Sequence, residues 1–283
     1  MFQKNKKMIK KIVVVSVVLI AGFNSTAQYY YKDIVSNNLL LAEMARLKEQ
    51  KIKTVDVASF EDDGKPSEGF FCQKNINRNY TKVGMLTKSN VTGASVFTST
   101  FTKDGLLIQT VDSSDIAVNT SNYEYDEKGR IKSIQSHVHS NDDDFSNEIA
   151  EAHHYEYDTN NFLEKMYRVK NDSDTTIILF SRDEKNNVSI EKDTKSGATY
   201  YYYYDSKNRL TDVVQLNQFN QKMLPDYVFE YNNAEQISQM TTTEEGGSYY
   251  YIWKYTYNNG LRIREKCFSK DRRLMGTIEY EYK

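Results

Sequence analysis

The chain has 283 residues, with 37 Lys and Arg against 39 Asp and Glu. Five of the lysines and none of the acids lie in the first 27 residues, so the rest carries 32 basic against 39 acidic residues, which argues against a nucleic-acid partner. Two Cys are too few for a disulfide framework, while 23 Tyr and only 2 Pro suit a chain made of many paired strands.

The N-terminus reads as an export signal. Lys4, Lys6, Lys7, Lys10 and Lys11 precede an apolar run over 12–22, and Ser25 and Ala27 are the small residues a signal peptidase needs before its cut. Cleavage is expected after Ala27, leaving Gln28 first. The run falls short of the ~18 residues of a membrane helix. No Cys lies near the cut to carry a lipid. The sequence therefore predicts three parts: a signal peptide over 1–27, a helix with the first strands over 28–93, and a Tyr-rich hairpin region over 94–283. The mature protein is expected to be periplasmic or secreted, with no membrane span.

After the signal, Ser36 or Asn37 can cap a helix over about 38–50, with Leu40, Leu41, Met44 and Leu47 as its buried stripe. Strands follow over 53–60, 69–76, 81–89 and 94–102, separated by turn-forming Asp, Gly and Asn. From there a unit repeats: aromatic, any, aromatic, Asp or Asn, two polar residues, Gly or Asn, any, aliphatic. Tyr123-Glu124-Tyr125-Asp126-Glu127-Lys128-Gly129-Arg130-Ile131 is the cleanest copy. The second aromatic position recurs at 101, 125, 157, 182 (where it is Arg), 204, 231 and 257, a spacing mostly in the twenties that fits two strands and two turns per unit. Aromatics two apart share one strand face, so Tyr125, Tyr157, Tyr204, Tyr231 and Tyr257 should form an inward ladder. Ile134, Met166, Val213 and Met240 each come three after the aliphatic residue. That is the wrong parity for one face, and implies either a bulge or a sheet covered on both sides.

These copies resemble the YD repeats of Rhs proteins, whose units read Tyr-x-Tyr-Asp-x-x-Gly-Arg-Leu. Residues 123–131 match every fixed position with Ile for Leu, and 202–210 match except for Asn208. The likeness covers about 97–283 and implies a long spiralling β-sheet. Members that build shells around toxin cargo are much larger, and that role is not expected of seven units. The leader, with Gln at the new N-terminus, resembles those of exported Bacteroidetes proteins. The fold expected is all-β: an open antiparallel meander of hairpins after one short helix. In an open meander, Cys72 and Cys267 lie far apart and stay free.

Candidate sites are few. His137, His139, His153 and His154 fall close together, and three imidazoles on one face could hold a metal, although none follows a known ligand spacing. Asp142, Asp143 and Asp144 lack the spacing of a calcium loop. Tyr201, Tyr203, Tyr251 and Trp253 extend the aromatics beyond the ladder and could stack on a sugar or grip a protein. There is no G-x-S-x-G, H-E-x-x-H or Gly-rich phosphate loop, so neither a catalytic set nor a cofactor is expected. An outer-membrane barrel would need unbroken apolar alternation, and stretches such as 188–195 and 262–270 are too polar for it. The reading is a non-enzymatic exported protein that presents a sheet surface to an unknown protein or carbohydrate at the cell envelope. The alternative is a glycan-binding or glycan-processing protein that uses the aromatic face.

Overall fold

The fold is that of a computed structural model, which describes residues 28–141, 148–217, 222–244, 247 and 249–283. The export signal lies outside the described residues, as do Asp142, Asp143 and Asp144. A π-helical turn, Tyr30–Val35, runs straight into helix α1, Ser36–Glu49. Eighteen strands follow: β1 Thr54–Glu61, β2 Phe71–Ile76, β3 Lys82–Ser89, β4 Gly93–Phe101, β5 Leu107–Ser114, β6 Ala117–Tyr125, β7 Ile131–Ser140, β8 Ile149–Tyr157 and β9 Leu163–Lys170. The second half is β10 Asp174–Arg182, β11 Val188–Asp193, β12 Thr199–Tyr204, β13 Leu210–Leu216, β14 Met223–Tyr231, β15 Ile237–Thr243, β16 Tyr250–Asn258, β17 Leu261–Ser269 and β18 Leu274–Tyr282.

Each strand pairs antiparallel with the next, as a meander should. The expectation of an open sheet is nevertheless wrong. β1 pairs with β2 on one side and with β18 on the other, from Val55 opposite Tyr282 to Glu61 opposite Gly276, and the sheet closes into an 18-stranded barrel. The backbone of Lys283 completes the seam: its carbonyl accepts from the N–H groups of Lys53 and Thr54, and its N–H donates to Thr54. Closure removes both edges, whose unpaired N–H and C=O groups would otherwise face solvent or another chain. The C-terminal strand also ends in an aromatic-x-aromatic pair, Tyr280 and Tyr282. The repeat ladder thus runs to the seam instead of stopping at Tyr257.

The repeated turn explains itself locally. In the five copies that turn at Asp126, Asp158, Asp183, Asp205 and Asn232, the carboxyl or amide oxygen accepts from backbone N–H groups two and four residues on, as Asp126 does from Lys128 and Arg130, Asp205 from Lys207 and Arg209, and Asn232 from Ala234 and Gln236. The fourth position is left-handed, with φ of 74° at Gly129 and 66° at Asn208. Arg130 and Arg209 then double back, pairing with their own Asp and lying over Tyr157 and Tyr231 of the next unit. The second aromatic closes the interlock. The hydroxyls of Tyr157, Tyr204, Tyr231 and Tyr257 donate to the carbonyls of Ile131, Val188, Leu210 and Ile237 in the preceding unit.

The parity problem resolves as a bulge beside every such turn. Tyr125 pairs with Ile131 but Glu124 with Ser133, so Lys132 is the extra residue and both Ile131 and Ile134 face inward. The same shift follows Tyr157, Tyr204 and Tyr231. The ladder is inward-facing as expected, but its burial is uneven. The first aromatics Tyr155, Tyr202 and Phe229 are buried, while Tyr125, Tyr157, Tyr204, Tyr231 and Tyr257 are half-buried nearer the mouth.

A circular barrel of this strand number leaves a channel. Here the N-terminal segment occupies it. Residues 29–37 touch inward side chains of β6, β8, β9, β11, β12 and β14, which lie around the ring, so the segment is inside. Helix α1 then lies across the mouth that carries the repeated turns. Met44 and Leu47 are buried against Val55, Val57, Cys72 and Ile278, while Asn38, Leu39 and Arg46 face out. Gln50 reaches the Asn259 carbonyl on the rim.

Two outcomes test this architecture. Glu235 holds the left-handed turn position, with φ of 63°, that Gly or Asn fills elsewhere. Its contact with Lys207 is exposed and weakly stabilising. Glu235→Gly should therefore stabilise the fold by about 1 kcal/mol in denaturant melts. Cys72 and Cys267 are buried and free even though the sheet is closed. They lie on β2 and β17 with β18 and β1 between them, about 14 Å apart at ~4.8 Å per strand, beyond disulfide reach. The denatured, unreduced chain should titrate two thiols; a monomer with none would contradict the strand order.

Candidate functional site

The inner wall holds a polar cluster that sequence reasoning missed. His153 on β8 points into the lumen between two carboxylates, with Nδ1 2.6 Å from Asp33 of the helical segment and Nε2 3.0 Å from Glu151. The Tyr155 hydroxyl donates to the same Asp33 oxygen. Arg168 on β9 donates to the Tyr29 hydroxyl at 2.7 Å and to Thr176. Glu191 on β11, fully buried, accepts from the backbone N–H groups of Tyr29 and Tyr30, both at 2.9 Å, and from the Tyr202 hydroxyl. Gln28 donates from its side chain to Asp226 on β14.

Burial alone would push the His153 imidazole down. The charge and hydrogen bond of Asp33, with those of Glu151, outweigh it and raise the pKa to about 9. The His153 hydrogen bond holds Glu151 below the usual range. Glu191 is the opposite case: burial raises it to about 7 against the lowering effect of its three donors. Burial likewise lifts Asp226 to about 6. The cluster thus pins the segment to the wall through one charged His bridge and two costly carboxylates. A signal for one of these was legible. Glu191 comes three after Val188, the place that Ile134, Met166, Val213 and Met240 fill in other units.

The four histidines do not gather. His153 points inward, while His137, His139 and His154 point outward. His137 pairs with Ala150 and His154 with Ser133, four residues apart along the strands. Among the described residues, no group of three His, Cys, Asp or Glu is arranged to hold a metal. The four aromatic candidates also divide. Trp253 is buried inside between Met240 and Cys267, and Tyr251 lies on the same inner face, donating to Glu244 at the far rim. Tyr201 and Tyr203 are outside, with Tyr203 46% exposed.

Around Tyr201 the outer wall carries an apolar row. Ile190, Tyr201, Val214 and Pro225 are directly opposed across β11 to β14. Leu179 and Ile177 on β10 extend it, 44% and 37% exposed. On the other side of the barrel the outer wall is charged: Lys254 faces Lys266, Arg264 pairs with Glu279, and Asp56 faces Glu281.

No protein-family model matches the chain. No curated protein matches it either. Among solved structures, it is similar to a porin-like protein from Bacteroides uniformis at 12% identity, over 82% of this chain and 98% of that one, with a TM-score of 0.40. A porin-like protein from Bacteroides vulgatus gives 12% identity over the same shares and a TM-score of 0.29. A TcdB2-TccC3-TEV structure gives 13% identity over 75% of this chain, a TM-score of 0.33, and a match spanning only 12% of that chain. Likenesses this distant carry no argument about function.

The His153 bridge yields a pH prediction. The folded pKa lies above the ordinary 6.5, so its stabilisation is fully present below about pH 6.5 and is lost as pH rises through about 9. Melts of the wild-type chain should lose up to about 3 kcal/mol across that window. His153→Gln should be less stable at pH 6 and show a flatter profile. Parallel profiles for the two proteins would mean that the bridge is uncharged.

Proposed function

We propose that the protein is an exported, non-enzymatic β-barrel, built of YD-type hairpin units, that offers its outer wall as a binding surface at the cell envelope. The observation that carries this reading is the filled lumen. The chain's own residues 29–37 occupy the place where a pore or a substrate cleft would be, which leaves the outer wall as the available surface. A transmembrane barrel needs an outward apolar band about 25 Å tall. The charged outer positions on β16, β17, β18 and β1 do not supply one, which supports a periplasmic or secreted barrel over an outer-membrane one. The partner surface is the apolar row centred on Tyr201 and Tyr203.

A protein partner is the first reading. A carbohydrate is the second, favoured by two outward Tyr rings two residues apart with the Asp212 carboxylate opposite Tyr203. The double variant Tyr201→Ser, Tyr203→Ser alters only outward positions and should keep the wild-type melt. Against the strain's own envelope extract it should capture its partner at least ten-fold less than the wild type. Equal capture would remove the row from consideration, and binding of the wild type on a glycan array, lost in the variant, would select the carbohydrate.

A further inference from the structure

We propose that the carboxylates of Glu191 and Asp226 form a built-in receptor, inside the barrel, for the α-ammonium group that signal-peptide removal creates at Gln28. Hydrolysis of the Ala27–Gln28 amide by water leaves a carboxylate on Ala27 and a protonated amine on Gln28. The inference rests on the export reading above and goes beyond it: processing would not only release the protein but also complete its interior.

The geometry puts the new charge at the receptor. Gln28 is only 8% exposed, and its side chain is held by Asp226. The next two backbone nitrogens, Tyr29 and Tyr30, each donate to a different oxygen of Glu191 at 2.9 Å. Successive backbone nitrogens lie no more than about 3.7 Å apart, so the Gln28 nitrogen is within roughly 7 Å of that carboxylate. A carboxylate accepts about four hydrogen bonds. Glu191 receives three, from the N–H groups of Tyr29 and Tyr30 and the hydroxyl of Tyr202, and has room for a fourth.

The wall itself shows what is missing at this place. Glu265 on β17 occupies the equivalent inward position, opposite Tyr255 as Glu191 is opposite Phe180. Glu265 is as deeply buried, but it pairs with Arg262 at 3.0 Å and accepts from Tyr280. The three donors to Glu191 are all neutral. The charged groups on the elements packed around it are Asp33 and Lys32 on the segment, Glu151 and His153 on β8, Arg168 on β9, Asp193 two residues along β11, and Asp226 on β14. His153 is committed to Asp33 and Glu151, and Arg168 donates to Tyr29 and Thr176. Lys32 senses Glu191 and Asp226 only through space. An unpaired buried carboxylate is costly, which accords with the raised pKa of both. An amine at Gln28 supplies the counter-charge. In the unprocessed chain that nitrogen is a neutral amide.

The test compares residues 28–283, freed by a tag protease that leaves Gln28 with an unblocked amine, with residues 25–283, which keep Ser25, Thr26 and Ala27. Cutting in vitro yields the free amine whether or not the cell exports the protein, so failure here is separable from failure of the export reading. At pH 7 the Gln28 chain should melt at least about 3 °C higher. Its advantage should fade as the amine deprotonates above about pH 8. Glu191→Gln should erase the difference while both forms remain folded. Equal melting of the two chains at pH 7 overturns the proposal. So does a difference that survives in Glu191→Gln, which would reflect crowding by the extra residues. Cyclisation of Gln28 onto its own amine, seen by mass as loss of ammonia with no loss of stability, also overturns it.

Discussion

The structure depends on the seam at β1. A hairpin meander can be extended indefinitely from local pairs, but only the pairing of Val55 with Tyr282, and of the residues beyond them, gives the sheet an inside. Once there is an inside, every second residue of eighteen strands faces it, and those side chains must be packed and their polar atoms satisfied. The Tyr-rich repeat answers both demands. Its rings fill volume, and its hydroxyls reach carbonyls on the neighbouring unit that the bulges turn inward. The bulge is thus the device that lets one turn motif bury two apolar residues and offer a carbonyl.

A ring this wide still exceeds what its own wall can fill, and the helical segment makes up the difference. Its attachment is polar where it enters, through Asp33, His153, Glu191 and Arg168, and apolar where α1 crosses the mouth over Val55, Cys72 and Ile278. The two halves of the plug therefore respond to different variables. The mouth contact rests on burial of hydrocarbon, which is indifferent to pH near neutrality. The entry contact rests on charges whose pairing depends on proton occupancy and on what is bonded to Gln28.

The outer wall has the opposite character, and its asymmetry matters. Around the seam it is a field of Lys, Arg, Asp and Glu. Across β10 to β14 it becomes a row of Leu, Ile and Tyr in which Ile177, Leu179 and Tyr203 are exposed and Val214 is buried among its neighbours. Removing Tyr201 would cost the lumen nothing, whereas removing its neighbours Tyr200 and Tyr202 would open a hole beside Glu191.

The sequence by itself determined the hairpin unit, because turn chemistry and parity are local. Asp126 with Gly129, or Asp205 with Asn208, specifies a turn wherever it occurs, and aromatics two apart specify a face. It also determined the helix and its buried Met44 and Leu47. Only the tertiary structure decided closure, because the β1–β18 pairing joins segments more than two hundred residues apart and no local pattern encodes it. Closure in turn decided which aromatics are exposed. Trp253 and Tyr201 look alike in a strand pattern, but one faces the lumen and the other the solvent. The polar cluster was likewise out of reach, since Asp33, His153 and Glu191 become neighbours only when a helix enters a ring. One trace of it stood in the chain all along: a glutamate at 191 where the repeat elsewhere places an aliphatic residue.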